Sequence, residues 1–469
     1  MTHVFDPTML REYDIRGIIG ETLSAEDARA IGRSFASMLR RAGGKTVAVG
    51  YDGRVSSPVL EHALVEGLSA SGCDVVRIGL GPTPMLYYAE ASSKQVDGGI
   101  QITGSHNPPN YNGFKMVFQG RPFFGSDIQD LGAVSAGGDW LDGAGKIVEK
   151  AIAEPYVERL LTALDDIDND KLAQLRIGWD AGNGAAGPLL EALAARLPGE
   201  HHLLFTEVDG HFPNHHPDPT VEANLADLKA LVAEKNLDFG VAFDGDGDRI
   251  GAIDGEGRVI WGDQLLMIYA EDLLGRLPNA TIIADVKASR ALFEHVEKHG
   301  GKPLMWKTGH SLIKSKMKET GSPLAGEMSG HVFFADTYYG FDDALYAALR
   351  LMAASARLGK SVTELRGAMP AMVNTPEMRF QVDESRKFAA IDEVKERLAH
   401  AGEGVEVNST DGVRVTTEDG WWLLRASNTQ DVLVARAEGD SEAAVERLMA
   451  QIDEQLALSG LERGEQAGH

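Results

Sequence analysis

Ser105 stands in the run Thr103-Gly-Ser-His-Asn-Pro108, between a glycine and an imidazole. The extended run Gly99-Ile-Gln-Ile102 leads into it, and Pro108 with Pro109 stops a helix from starting directly behind it. A serine on a turn at the end of a strand presents its hydroxyl outward, where it can carry a phosphoryl group. A second run, Asp244-Gly-Asp-Gly-Asp-Arg249, alternates carboxylates with glycines, so the loop can curl and aim all of its acids at one centre. Hard oxygen ligands at this spacing suit Mg²⁺. A calcium loop of the EF-hand kind is excluded, because Arg249 stands where its sixth-position glycine must be and Gly255 where its bidentate glutamate must be. A third run, Arg425-Ala-Ser-Asn-Thr429, offers a guanidinium, hydroxyls and an amide, the parts of a phosphate cup. Read alone it also suits a helix cap or an Asx turn.

The elements that position these runs alternate along the chain. A helical pattern over 24–42 opens on Ser24 with Asp27 three residues on and closes on Gly43-Gly44. A strand at Val47–Gly50, a helix over 57–71 and a strand over 74–78 follow. This is the βαβ order of a sheet covered by helices. The apolar runs Arg176–Trp179, Gly240–Phe243 and Thr281–Ala284 each end at an aspartate, which predicts an internal repeat of similar α/β domains with ligands at the strands' carboxyl ends. Residues 372–439 alternate instead, which predicts an antiparallel sheet with one wet face and helices over 383–401 and 440–458 on the other. The expected architecture is α/β: three similar mixed-sheet domains (1–151, 152–254, 255–368) plus a C-terminal α+β domain (369–469) around a central cleft.

Composition sets the bounds. A chain of 469 residues is long enough for roughly three to five domains. Its 43% hydrophobic and 25% charged residues are those of an ordinary globular protein. A formal charge of −25 argues against nucleic acid or an anionic membrane as partner, and requires any phosphate site to be built from locally clustered cations. Cys73 is the sole cysteine, so no internal disulfide forms. No signal peptide or membrane-length apolar run is legible, so a cytoplasmic protein, a monomer or weak homodimer, is expected. The proline-rich run His211–Pro219 tempts a zinc reading, but it lacks cysteine and reads as structural; His201-His202 reads as a surface pair at a helix end.

The runs TGSHNPPNYNGFK (103–115), DGDGDR (244–249), GEMSGH (326–331) and RASNT (425–429), in this order, resemble the α-D-phosphohexomutase superfamily over essentially the whole chain. GEMSGH is similar to the phosphomannomutase/phosphoglucomutase branch, whereas phosphoglucosamine mutases usually carry glutamine at the position of Met328. The resemblance implies that Ser105 is a phosphoserine, and that Asp244, Asp246 and Asp248 hold Mg²⁺ together with a phosphoryl oxygen on Ser105. It implies that Glu327 and Ser329 read sugar hydroxyls, and that Arg425, Ser427, Asn428 and Thr429 bind the phosphate that is not transferred. Tyr13, Arg16, His106, Lys115, Arg249, Lys287, His310 and His331 are its further active-site positions. One departure is Asp431, where the family commonly has proline.

The implied chemistry is reversible exchange between hexose 6-phosphate and hexose 1-phosphate through glucose 1,6-bisphosphate or its equivalent. O1 and O6 lie on opposite sides of the ring, so the phosphate must be lent by the protein to one oxygen and taken back from the other. A general base must deprotonate the attacking hydroxyl. Lys115, His106 and the neighbourhood of Arg16 are candidates, with Lys115 favoured if nearby cations lower its pKa. The fourth domain is expected to close on the substrate. Phosphoglucosamine mutase, a serine phosphohydrolase of sugar phosphates and a silent sugar-phosphate sensor are the alternatives.

Overall fold

The computed structural model describes residues 2–399, 402, 404–428 and 430–464. The expected helix at 24–42 is Ala25–Arg41, opened by a capping box between Ser24 and Asp27 and closed with Arg40 and Arg41 in its last turn, where cations favour the helix dipole.

Three sheets repeat one order of strands. In the first, Tyr111–Phe118, Gly98–Ile102, Thr46–Tyr51 and Asp74–Leu80 lie side by side, with Ile15–Ile18 at one edge and Ile147–Glu149 at the other. The second runs Ile250–Asp254, Phe239–Phe243, Arg176–Asp180, Glu200–Leu204. The third runs Val332–Phe334, Leu324–Gly326, Thr281–Asp285, Lys302–Trp306. In each, one strand pairs in parallel on one side and antiparallel on the other. These strands, Gly98–Ile102, Phe239–Phe243 and Leu324–Gly326, are buried throughout. Each ends in an antiparallel return whose connection is a site run: TGSHNP, DGDGDR or GEMSGH.

The fourth unit is α+β and antiparallel, ordered Val432–Gly439, Gly420–Ala426, Val413–Thr417, Glu406–Asn408, with Val373–Asn374 and Met378–Gln381 both on Val432–Gly439. Helices Glu384–Leu398 and Glu442–Leu458 pack against it. RASNT joins its Gly420–Ala426 and Val432–Gly439 strands, a fourth hairpin connection.

The expected wet face is absent from its centre. Gly420–Ala426 and Val432–Gly439 are buried on both faces. The second face is covered by the third unit: Trp421 and Leu423 pack on Val286. Arg414 lies 3.7 Å over the Trp421 ring and donates to the carbonyls of Val286 and Ala288, each at 2.7 Å. Trp422 points the other way into the unit's own core.

Candidate active site

The Ser105 loop is built around a buried arginine. Arg54, 1% exposed, donates to the carbonyls of Pro108 (2.6 Å), Tyr111 (3.0 Å), Ser105 (2.8 Å) and Asn107 (2.6 Å). Asp52 accepts from the Gly104 N–H at 3.1 Å and lies 3.3 Å from Arg54 Nε. A β-carbon at Gly104 would lie 2.4 Å from the guanidinium, so only glycine lets that side chain under the loop. Ser105 itself takes φ of 49°, in the left-handed region that non-glycine residues seldom occupy. Its Oγ donates to Asp244 Oδ2 at 2.9 Å and lies 3.1 Å from His106 Nδ1. The YDGR run at 51–54 is legible as a strand end, but nothing local in it reveals that Arg54 holds a loop fifty positions away. Arg54→Met, which leaves those carbonyls without their donor, is expected to lower kcat by roughly 100-fold and to destabilise the fold by about 3 kcal/mol. Steady-state kinetics and thermal melting check both.

Asp244, Asp246 and Asp248 are buried, and their carboxylate oxygens come within 4.8 Å of one another. Asp244 Oδ1 accepts the N–H groups of Asp248 and Arg249, each at 3.1 Å, which curls the loop. Asp246 Oδ2 accepts from Thr83 (2.5 Å), Thr103 (3.1 Å) and Lys115 (2.8 Å). Lys115 also donates to Asp248 Oδ2 at 2.5 Å. Burial, with the charges of its neighbours, pushes Asp244 well above the usual carboxylate range. Burial also acts on Asp246, but Lys115 outweighs it and holds that carboxyl down.

Lys115 does not have the lowered pKa expected of it. Burial pulls its ammonium down, but Asp246, Asp248 and Asp244 overcome that and raise it, because its neighbours are carboxylates rather than cations. His106 is the group held low, by burial and by Arg249, Arg16 and Lys115, so its ring is neutral. One ammonium against these carboxylates leaves charge suited to a divalent cation. Asp246 Oδ1 and Asp248 Oδ1 are buried without a hydrogen-bond partner among the described residues. Both observations fit a cation such as Mg²⁺ held by the triad.

GEMSGH meets this centre edge on. Arg249 Nε donates to His331 Nε2 at 3.1 Å, and His331 Nδ1 lies 3.0 Å from Asp342 and 3.6 Å from Asp248. Asp342 also accepts from Lys314 at 2.9 Å and lies 3.7 Å from His310, whose ring stacks on His331 at 5.5 Å. Glu327 is buried, accepts the Gly309 N–H at 2.6 Å, and is followed by half-buried Ser329.

The fourth unit closes the ring. Arg425 Nε donates to Asp411 at 3.0 Å, and Asp411 also accepts the Thr308 N–H at 3.0 Å. Tyr13, from the first unit, donates to the Thr308 carbonyl at 2.8 Å and receives Asn428 Nδ2 at 2.6 Å. Burial pushes the Tyr13 phenol up to about 12, so it stays neutral. Ser427 is buried on the same turn; Thr429 lies outside the described residues. Lys287 donates to Glu377 at 2.9 Å, and Arg16 pairs with Asp14. The structure thus joins residues of all four runs in one network. Sequence reasoning missed Arg54, Thr83, Asp342, Glu377 and Asp411, each a single polar residue bound to a distant partner.

Residues 8–136, 154–257 and 261–372 match the alpha/beta/alpha domains I, II and III of phosphoglucomutase/phosphomannomutase, and 377–455 match its C-terminal domain. The phosphomannomutase/phosphoglucomutase of Pseudomonas aeruginosa is 46% identical over 449 residues, 96% of this chain and 95% of its own. The phosphoglucomutase of Neisseria gonorrhoeae is 42% identical over 444 residues, 94% and 95% of the two chains. The crystal structure of a phosphoglucomutase/phosphomannomutase family protein from Burkholderia thailandensis superposes with a TM-score of 0.90 at 45% identity, covering 97% of this chain and 98% of that one.

Proposed function

This chain belongs to the phosphoglucomutase/phosphomannomutase family, and from that premise we propose that it is an isomerase interconverting hexose 6-phosphate and hexose 1-phosphate by way of a phosphoserine. The observation that carries the reading is Ser105 Oγ, buried on its loop rather than facing outward, on a residue with left-handed φ, and 2.9 Å from an acid of the triad.

In the forward half-reaction the free hydroxyl of hexose 1-phosphate attacks the phosphorus on Ser105. The new P–O6 bond forms as the P–Oγ bond breaks, and the hydroxyl's proton leaves to a base. The bisphosphate then turns round and returns its O1 phosphoryl group to Ser105, so the protein ends as it began. Asp244, Asp246 and Asp248 would hold Mg²⁺, and its charge would polarise the phosphoryl group when bound. Lys115 and Arg249 add fixed positive charge at the same place. His106, neutral and 3.1 Å from Oγ, is the group placed to hold the serine's proton. Glu327 and Ser329 read hydroxyls common to both orientations of the sugar. Arg425, Ser427, Asn428 and Thr429 grip the phosphate that stays, with Tyr13, Lys287, His310 and His331 lining the approach.

Such a site accepts glucose and mannose alike, since strict reading of O2 conflicts with accepting the sugar both ways round. The enzyme would supply hexose 1-phosphates for nucleotide-sugar and polysaccharide synthesis in the cytoplasm. Among the described residues no helix is long and apolar enough to cross a membrane. A competition between glucose 1-phosphate, mannose 1-phosphate and glucosamine 1-phosphate, with glucose 1,6-bisphosphate as activator, tests the reading. Both neutral sugars are expected to turn over. Exclusive use of the amino sugar, or inorganic phosphate released as fast as isomer forms, would overturn it.

A further inference from the structure

The third unit holds a cluster that the isomerase reaction does not use. Glu271 projects from helix Gly262–Arg276 toward His295 and His299, spaced i and i+4 at the end of helix Arg290–Lys298. His295 Nε2 lies 3.5 Å and His299 Nε2 3.8 Å from one and the same oxygen, Glu271 Oε2. All their ligand atoms fall within 4.8 Å of one another. Tetrahedral zinc, with bonds of about 2.0–2.1 Å, sets its ligand atoms roughly 3.4 Å apart.

The surroundings orient these groups as metal ligands are oriented. His299 Nδ1 donates to the His295 carbonyl at 2.8 Å, which leaves the Nε2 lone pair facing Glu271. The Met267 backbone hydrogen-bonds the His295 ring. Lys360 Nζ, 3.1 Å from Glu271 Oε1, fixes the carboxylate with Oε2 toward the imidazoles. Against these, His295 Nε2 is buried and has no hydrogen-bond partner among the described residues, an unmet demand inside a packed pair of helices. The side chains of His295, Glu271 and His299 are 17%, 18% and 28% exposed, enough for an ion to enter.

We propose that Glu271, His295 and His299 form a binding site for a divalent transition cation of the zinc class, separate from the Asp244–Asp246–Asp248 triad. Two imidazoles and one carboxylate favour zinc, nickel or copper over magnesium, and leave a fourth position to water or an exogenous ligand. An ion there adds a tie between two helices that also meet through apolar packing and the Met267–His295 hydrogen bond.

The test titrates the full-length protein with Zn²⁺ in saturating Mg²⁺, counting bound zinc by equilibrium dialysis, and repeats it with Co²⁺ to read its ligand-field bands. Wild type and Asp246→Asn are each expected to bind zinc at this site, with tetrahedral cobalt bands and a raised melting temperature. His295→Ala/His299→Ala is expected to lose that equivalent, those bands and the zinc-induced melting shift, while its isomerase activity in Mg²⁺ stays at the wild-type level. Glu271→Gln, which keeps the helix packing, is expected to weaken zinc binding by roughly 100-fold, and decides the matter should the double variant not fold. Zinc retained undiminished in both variants, or none bound by wild type once Mg²⁺ fills the triad, overturns the proposal.

Discussion

Ser105→Ala lowers kcat by roughly four orders of magnitude or more, the scale of losing a covalent nucleophile, with glucose 1,6-bisphosphate supplied throughout. The expectation rests on what the hydroxyl does and on what it does not do. It is the atom proposed to carry the phosphorus, and no neighbour replaces it. The loop, however, is held by Arg54 through its carbonyls and by Asp52 through the Gly104 N–H. Alanine therefore removes only the contacts of Oγ to Asp244 and His106, a cost of about 1 kcal/mol. The variant is expected to fold with a nearly unchanged melting temperature while failing to isomerise. Coupled assay and calorimetry on the same preparation separate catalytic loss from unfolding.

Asp244→Asn gives effects of opposite sign on activity and stability. The amide can keep the local hydrogen bonds: its oxygen accepts the N–H groups of Asp248 and Arg249, and its nitrogen donates to Ser105 Oγ. What it removes is a charge that burial, Asp246 and Asp248 oppose. A carboxyl whose folded pKa is raised contributes stability below its unfolded pKa and loses it as pH rises through the folded one. At neutral pH the Asp244 carboxyl therefore costs stability, and Asn removes that cost. In chelator the variant is expected to melt above wild type. Added Mg²⁺ is expected to stabilise wild type and to do much less for the variant, whose kcat falls roughly 1,000-fold as the cation's support of transferring charge is lost. Equal melting in chelator together with an unchanged response to Mg²⁺ would count against the triad as the metal's holder.

Much of this site was legible because its chemistry is written in short contiguous runs. DGDGDR and TGSHNP are turns whose residue types are constrained locally, and Ser24 with Asp27 marks a helix start for the same reason. The residues that escaped notice act over distance. Thr83 meets Asp246 across 163 positions and Asp411 meets Thr308 across 103, separations at which no local pattern says which group finds which. The repeat was legible but its parts were not ranked. The strands ending at Asp180 and Asp285 correspond to Thr46–Tyr51, beside Asp52, whereas the one ending at Asp244 corresponds to Gly98–Ile102. Asp52 and Asp180 are spent holding neighbouring loops.

Beside the pKa of Lys115, two readings of the elements failed for identifiable reasons. Trp421-Trp-Leu-Leu424 has no alternation, the mark of a strand buried on both faces, and that outweighs the alternation around it. His201 and His202 lie in the strand Glu200–Leu204, not at a helix end, because a short polar edge strand carries little periodic signal.

The isomerase reading turns on whether Ser105 lends and reclaims a phosphoryl group. Its most direct test is the intact mass of the protein after brief exposure to glucose 1,6-bisphosphate, with the modified peptide then sequenced. One added phosphoryl group is expected, located on Ser105 and discharged by hexose 1-phosphate. A protein that isomerises sugar phosphates while Ser105 never gains that mass, or that carries it on another residue, would overturn the role given to Ser105.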